Sequence, residues 1–311
     1  MIIDLIYSRY VLGFAYWEYF VFGLEDTSIA ERLEFMSLEN STAYNKVLNT
    51  GHEDIRKLRN KYLTYQALTP YFKRDMCYIQ GDEQKDEFFE FCRRHPQFFV
   101  KPVDSLQGRR TEIVNREDYK SQEELFAALL EKGGTSPKIL CEELIICEDS
   151  IRAIHPESVN SVRIYTYLKT NGDPTLVSSF IKAGQSGAII DNVGPGGMLA
   201  AVDTETGLVY ADAADERGHV FPVHPDTGFV FKGFQIPQWE ELKKMVLEIA
   251  PTFPGVRLNG WDVALSKDKG WQVIEGNSRG ALNALQISTK TGCRKQLEAV
   301  LEWDKHYKKL Q

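Results

Sequence analysis

The 311-residue chain has little that would fasten it covalently or carry it through a membrane. Its five cysteines, Cys77, Cys92, Cys141, Cys147 and Cys293, are odd in number and form no CxxC pair. That argues against a disulfide framework or zinc site and for reduced thiols in a cytoplasm. Nor is there a run of about 18 uncharged apolar residues that could span a bilayer. The aromatic-rich start, with YVLGFAYWEYFVFGL at 10–24, is broken by Asp4, Arg9 and Glu18. It also lacks the basic start, compact apolar centre and small-residue cleavage site of a signal peptide. A core or partner-facing helix is the expected reading of residues 1–24, with peripheral contact to a membrane surface as the alternative. Basic excess is missing too: the formal charge is −7, which excludes a general nucleic-acid binder. The span 1–75 holds no glycine-rich phosphate loop, so it forms no complete dinucleotide domain.

The composition is that of a globular protein able to bury a sizeable core, with 43% apolar and 26% charged residues. Three helical patterns fill 1–75: DTSIAERLEFMSL (26–38) capped by Thr27 or Ser28, STAYNKVLN, and EDIRKLRNKYLTYQALTPYF ending near Pro70. Residues 76–150 then read as a small α+β lobe. A helix at 86–94 is stopped by Pro96, and strands QFFVKPV (97–103) and TEIVN (111–115) flank the turn DSLQGRR. The capped helix SQEELFAALLEK (121–132) and the strand ILCEELI (139–145) complete it. Residues 151–311 are strand-rich, with runs at 159–169 and 175–184, a glycine loop at 184–197, and the strands MLAAVD and LVYADAAD. A helix in PQWEELKKMVLEIAPTF follows, and STKTGCRKQLEAVLEW predicts one closing helix.

Between those last two helices, GWDVALSKDKGWQVIEGNSRGALN (260–283) reads as a β-hairpin: two apolar runs around the polar turn SKDKG. Simple alternation places Asp262 with Ala264 on one face, Gln272, Ile274 and Gly276 on another, and Val273 with Glu275. Asp262, Glu275 and Asn277 are oxygen-bearing side chains that can converge at one end of the hairpin, with Arg279 just beyond. Carboxylate and amide oxygens are what Mg²⁺ prefers. Solvated acids on an edge hairpin are the plain alternative.

Further features stand in order along the chain: Asn60-Lys61, Lys101 before DSLQGRR, Glu142-Glu143-Leu144-Ile145, and the late Asp262/Glu275/Asn277 set. Over about 58–290 this arrangement resembles the ATP-grasp superfamily. The aromatic N-terminal segment, NKYLTYQ, HPESVNSVRI (155–164), DNVGPGGM (191–198), HPDTG (224–228) and GWDVAL…VIEGN are similar, nearly end to end, to the sugar-transfer-associated ATP-grasp proteins of cell-surface polysaccharide biosynthesis. The chain departs at DSLQGRR, which has one glycine where many members carry several. Arg109 and Arg110 supply charge there.

The resemblance implies an α+β ATP-grasp fold, two α+β lobes enclosing ATP, with 1–75 a helical N-terminal segment, 76–150 the small lobe and 151–311 the large lobe with the metal site. It implies ATP bound by Lys61, Lys101 and the Glu142, Glu143, Leu144, Ile145 segment, either glutamate taking the adenine amine. One or two Mg²⁺ would lie on Asp262, Glu275 and Asn277. Arg163, Lys182 and Arg279 would face the phosphates, and Asp191, Asn192 and His224 the acceptor substrate. His155 and His224, each followed by proline, read more readily as structural. The implied reaction is ligation of a small-molecule carboxylate to an amine, sugar-linked substrates included, through an acyl phosphate. A kinase of the same fold and a non-catalytic nucleotide-binding scaffold are the alternatives.

Overall fold

The computed structural model describes residues 2–103, 111–134, 138–188 and 196–303. They form two compact units, 57–146, and 1–56 together with 147–311. This division differs from three consecutive segments, because the span 1–56 joins the C-terminal unit.

In the unit of residues 57–146, four antiparallel strands, β1 (Met76–Ile79), β2 (Gln97–Pro102), β3 (Glu112–Asn115) and β4 (Ile139–Glu143), lie in the order β1-β4-β2-β3. Alternation sends Cys77, Ile79, Phe98, Val100, Val114 and Cys141 into a core closed by helices Lys85–Arg94 and Gln122–Gly133 through Phe88, Phe91, Leu125 and Leu129. Lys101 and Glu142 stand on the opposite side of the sheet, since Lys101 pairs with Leu140 and Phe99 with Glu142.

The other unit is built on a seven-stranded antiparallel sheet: β5 (Ser161–Leu168), β6 (Pro174–Ala183), β7 (Met198–Val202), β8 (Ala213–Asp215), β9 (Val220–Phe221), β10 (Leu258–Ser266) and β11 (Gly270–Asn277), in the order β11-β10-β5-β6-β7-β8-β9. Helix Trp239–Ile249 packs on it, on strands β5, β6 and β11. The N-terminal helices α1 (Ile2–Tyr10), α2 (Tyr16–Val21), α3 (Ile29–Arg32) and α4 (Leu38–Leu48) bring Phe14, Phe22, Met36, Tyr44 and Leu48 against Tyr165, Tyr167, Phe180 and Leu258. Burial of these large side chains binds the segment to the sheet, each contributing about 1.5–3 kcal/mol.

Several long helical patterns are cut short by local polar bonds. Within residues 26–38 the helix is only α3, and α4 begins at Leu38, because Ser28 caps the first and Ser37 the second, accepting from Glu31 N and Asn40 N. The pattern ending near Pro70 breaks at Asn60, whose Oδ1 accepts from Leu63 N at 3.0 Å and starts a new helix at Lys61. The closing helix is two, Leu285–Thr289 and Arg294–Val300, because Lys290 takes a left-handed conformation at φ 51°. The strand expected to reach Ile145 stops at Glu143.

Buried polar ties complete the union of α4 with the sheet. Asn49 Nδ2 donates to Leu258 O at 2.8 Å and Ser278 O at 2.7 Å, and its Oδ1 accepts from Leu258 N at 2.9 Å. Asn49→Ala leaves these backbone groups unsatisfied away from water, so a loss of about 3 kcal/mol is expected. Urea denaturation of the two proteins measures it, and a loss under about 1 kcal/mol contradicts this account.

Candidate active site

The hairpin forms, but not with simple alternation. Asp262 pairs with Glu275 and Val263 with Val273, so Ile274 is an extra residue in β11, a β-bulge. Without it Asp262 would face Ile274, and Glu275 would lie opposite Trp261 on the other side of the sheet. The expected sharing of a face by Val273 and Glu275 is therefore corrected. The bulge sends Val273 to the core beside Val263 and Glu275 to the side of Asp262.

Register then assembles one polar cluster. Arg163 on β5 lies opposite Asp262, and Lys182 on β6 is two residues from Arg163's other partner, Phe180. Arg163 grips Asp262 in bidentate fashion, Nε to Oδ1 at 2.5 Å and Nη2 to Oδ2 at 2.6 Å. Lys182 Nζ lies 3.2 Å from Asp262 Oδ1. Asp262 and Lys182 are buried, and Arg163 is mostly so. Burial alone would raise the Asp262 carboxyl, but Arg163 and Lys182 hold it well below the usual carboxylate range. Asp262 in turn, against the opposing effect of burial, pushes the Arg163 guanidinium well up.

Asn277 Nδ2 lies 3.2 Å from Glu275 Oε1 and 3.5 Å from Asp262 Oδ2. Rotating that amide by half a turn offers its oxygen at the same point. Two carboxylates and an amide oxygen make a hard-oxygen donor set, and it fits Mg²⁺. The two cations beside Asp262 leave the cluster receptive to phosphate oxygens as well. Tyr165 closes one side of it: its hydroxyl donates to Ala281 O at 3.3 Å and accepts from Arg163 Nη1 at 3.4 Å. Its ring occupies the space above Gly260, where a Cβ would stand 2.7 Å from Tyr165 Cε1, and Gly280 is closer still.

Arg279 is exposed. His224 is fully buried, and its Nε2 donates to Gly184 O at 2.8 Å while Nδ1 accepts from Asp226 N at 3.2 Å. Beside it, the His155 ring stacks at 5.3 Å and bonds Ser158 Oγ, which receives Gly184 N at 3.2 Å. The two histidines thus clamp the start of the glycine loop. Asp191 and Asn192, further along that loop, lie outside the described residues, as do Arg109 and Arg110.

In the unit of residues 57–146, Lys101 Nζ forms an ion pair with Glu142 Oε1, and Arg74 donates to Glu142 Oε2 from Nε at 3.0 Å and Nη2 at 2.9 Å. Strand phase, open in the sequence, separates the two glutamates. Glu142 joins Lys101, whereas Glu143 is held at the strand edge, its Oε2 accepting from Asp75 N at 2.9 Å. Leu144 and Ile145 follow beyond the strand and are half-buried. Lys61 is half-buried at the first turn of its helix, its backbone N donating to Val103 O at 3.3 Å. Arg74 and Tyr165 were not singled out by sequence reasoning: no periodicity or motif marks a single arginine before a strand, or one tyrosine within one.

Fold and donor geometry together define a class. An ATP-grasp ligase, PsnB, complexed with a phosphomimetic variant of its minimal precursor, Mg and ADP, superposes with a TM-score of 0.50 at 14% identity, over 86% of this chain and 69% of that one. The D-alanyl-alanine synthetase A from Vibrio cholerae O1 biovar eltor is similar at a TM-score of 0.47 and 13% identity, over 80% and 62%. The chain spans roughly three-fifths to two-thirds of the length of these proteins. The fold is the ATP-grasp fold. A sequence profile of the sugar-transfer associated ATP-grasp family matches residues 39–302, and the chain belongs to that family. No curated protein matches it by sequence.

Glu142 generates a pH prediction. Burial would raise its carboxyl, but Lys101 and Arg74 bring it below the ordinary value. A depressed native pKa contributes stability above the unfolded value, about 4.3, and loses it as pH falls through the native one. Glu142→Gln strands two buried cations, so a cost of about 3–5 kcal/mol is expected at pH 7. Guanidinium denaturation of both proteins at pH 7 and pH 4 should show the gap narrowing in acid; a gap that widens contradicts the pairing.

Proposed function

We propose that the chain is an ATP-dependent ligase that joins a carboxylate to an amine through an acyl phosphate. The observation carrying this reading is the convergence of Asp262, Glu275 and Asn277 with Arg163 and Lys182 on one face of the sheet. Bound there, Mg²⁺ would be held by Asp262, Glu275 and Asn277 and would neutralise charge on the β- and γ-phosphates. Arg163 and Lys182 supply fixed positive charge, and Asp262 keeps both cations oriented without reorganisation when the substrate arrives. Lys101 serves as a phosphate-binding group in the unit of residues 57–146, positioned by Glu142 and Arg74. The backbone of Glu143 to Ile145 serves the adenine, and Lys61 and Arg279 add charge. His155 and His224 act through the loop they clamp, with Asp191 and Asn192 on the acceptor.

In the first step a carboxylate oxygen bonds to the γ-phosphorus, the bond to the bridging oxygen breaks, and ADP leaves. An amine then bonds to the carbonyl carbon, the C–O bond to phosphate breaks, phosphate departs with that electron pair, and the amine loses a proton. Phosphorylation turns a poor leaving group into a good one. The family's description favours a sugar-linked acid or amine and a place in surface-glycan assembly. Five reduced thiols and use of ATP fit a cytoplasmic setting.

Carboxylic acids offered with ATP, Mg²⁺ and hydroxylamine should yield ADP together with a hydroxamate. ADP release on alcohols, with no hydroxamate from any acid, makes the protein a kinase. Glu275→Gln is expected to abolish Mg²⁺-dependent ADP release with its thermal transition unchanged, and undiminished turnover removes Glu275 from the metal set. By calorimetry, Lys101→Ala should weaken ATP binding about tenfold or more.

A further inference from the structure

The N-terminal helices carry their polarity inside out. Every exposed residue in 2–20 is apolar or aromatic, among them Ile3 at 85%, Tyr10 at 74%, Val11 at 62%, Phe20 at 52% and Trp17 at 43%. Apart from Arg9, the Trp17 indole and the tyrosine hydroxyls, the segment's polar side chains bond to the protein. Asp4 is bound by Arg32 through Nη1–Oδ1 at 2.5 Å and Nη2–Oδ2 at 2.9 Å, and Arg32 also donates to Ser8 Oγ at 3.0 Å. Glu18 is fully buried, accepting from Ala15 N at 2.8 Å, Leu38 N at 2.7 Å and Asn283 Nδ2 at 2.9 Å. A surface helix ordinarily does the reverse.

The chemistry of this face selects its occupant. Protein–protein interfaces, homodimers included, keep about a third or more of their area polar and carry about ten hydrogen bonds. Here the exposed side chains offer only tyrosine hydroxyls and the Trp17 indole N–H. Those are the groups that favour the boundary between lipid tails and headgroups. Charge agrees. In a chain of net charge −7, both carboxylates of this segment are withdrawn into bonds with the protein. Arg9, its one base, is half-exposed beside Tyr10, 5.9 Å from that ring. No helix among the described residues is long and apolar enough to cross a membrane.

We propose that residues 2–20 dock on the interfacial layer of a lipid bilayer, with α1 and α2 lying in its plane and Arg9 on lipid phosphate. Binding of the chain to membranes would then hold the enzyme where lipid-borne substrates are presented. The full chain should float with phosphatidylcholine vesicles, and more completely when phosphatidylglycerol is added. Ile3→Ser/Val11→Ser removes only exposed side chains, so its thermal transition should match wild type while its vesicle partitioning falls about tenfold or more. Tryptophan emission should shift to the blue on vesicle addition, and Trp17→Phe should remove that shift. A wild-type chain that stays behind with both vesicle types overturns the proposal. So does flotation of the double variant equal to wild type. A dimer in light scattering that the double substitution makes monomeric, without flotation, gives the face to a second copy instead.

Discussion

The buried carboxylate of Asp262 is the constraint on which the C-terminal unit depends. It draws Arg163 and Lys182, on two successive strands, to one point and offsets the cost of burying their charge. An apolar trio of similar volume would hold three strands equally well, so stability does not explain the choice. Under the proposed ligase function preorganised charge does, since Asp262 holds both cations in place before a phosphate would arrive. The Arg74–Glu142–Lys101 group repeats the logic in the other unit, with a central carboxylate fixing the position of a lysine.

Around Asp262 the structure spends its smallest residues. Gly260 and Gly280 let the Tyr165 ring approach the backbone closely, with the Arg163 guanidinium 5.9 Å from its centroid. The N-terminal helices close the far end of the same core through Tyr165, Tyr167 and Phe180. This explains why the span 1–56 folds with 147–311 rather than with its neighbours in sequence.

Much of the proposed site was legible because its signals are local. Acid, glycine and amide at a strand end, or a lysine on an apolar strand before a polar turn, need only neighbouring residues to be seen. The ATP-grasp fold was legible through the order of such signals. What escaped depends on distant pairing. The bulge at Ile274 follows from competition between Val273, which belongs in the core, and Glu275, which does not. Arg74 acquires its role only when Glu142 arrives 68 residues later. The helical character of the span 1–75 is plain in its periodicity, but the breaks at Asn60 and Ser37 rest on side-chain caps that outcompete propensity.

The bulge also divides the hairpin into two halves under separate rules. From Val263 to Val273 the alternation answers to the core, and from Glu275 onward it answers to the cluster of charges. The extra residue acts as a clutch between them. Changes in the turn at Lys267–Lys269, including a lengthened loop, would be absorbed on the core side and would leave the oxygen donors in register. Deleting Ile274 would set Glu275 directly after Val273 and still opposite Asp262, so the bulge would vanish while Glu275 and Asn277 kept their side of the sheet.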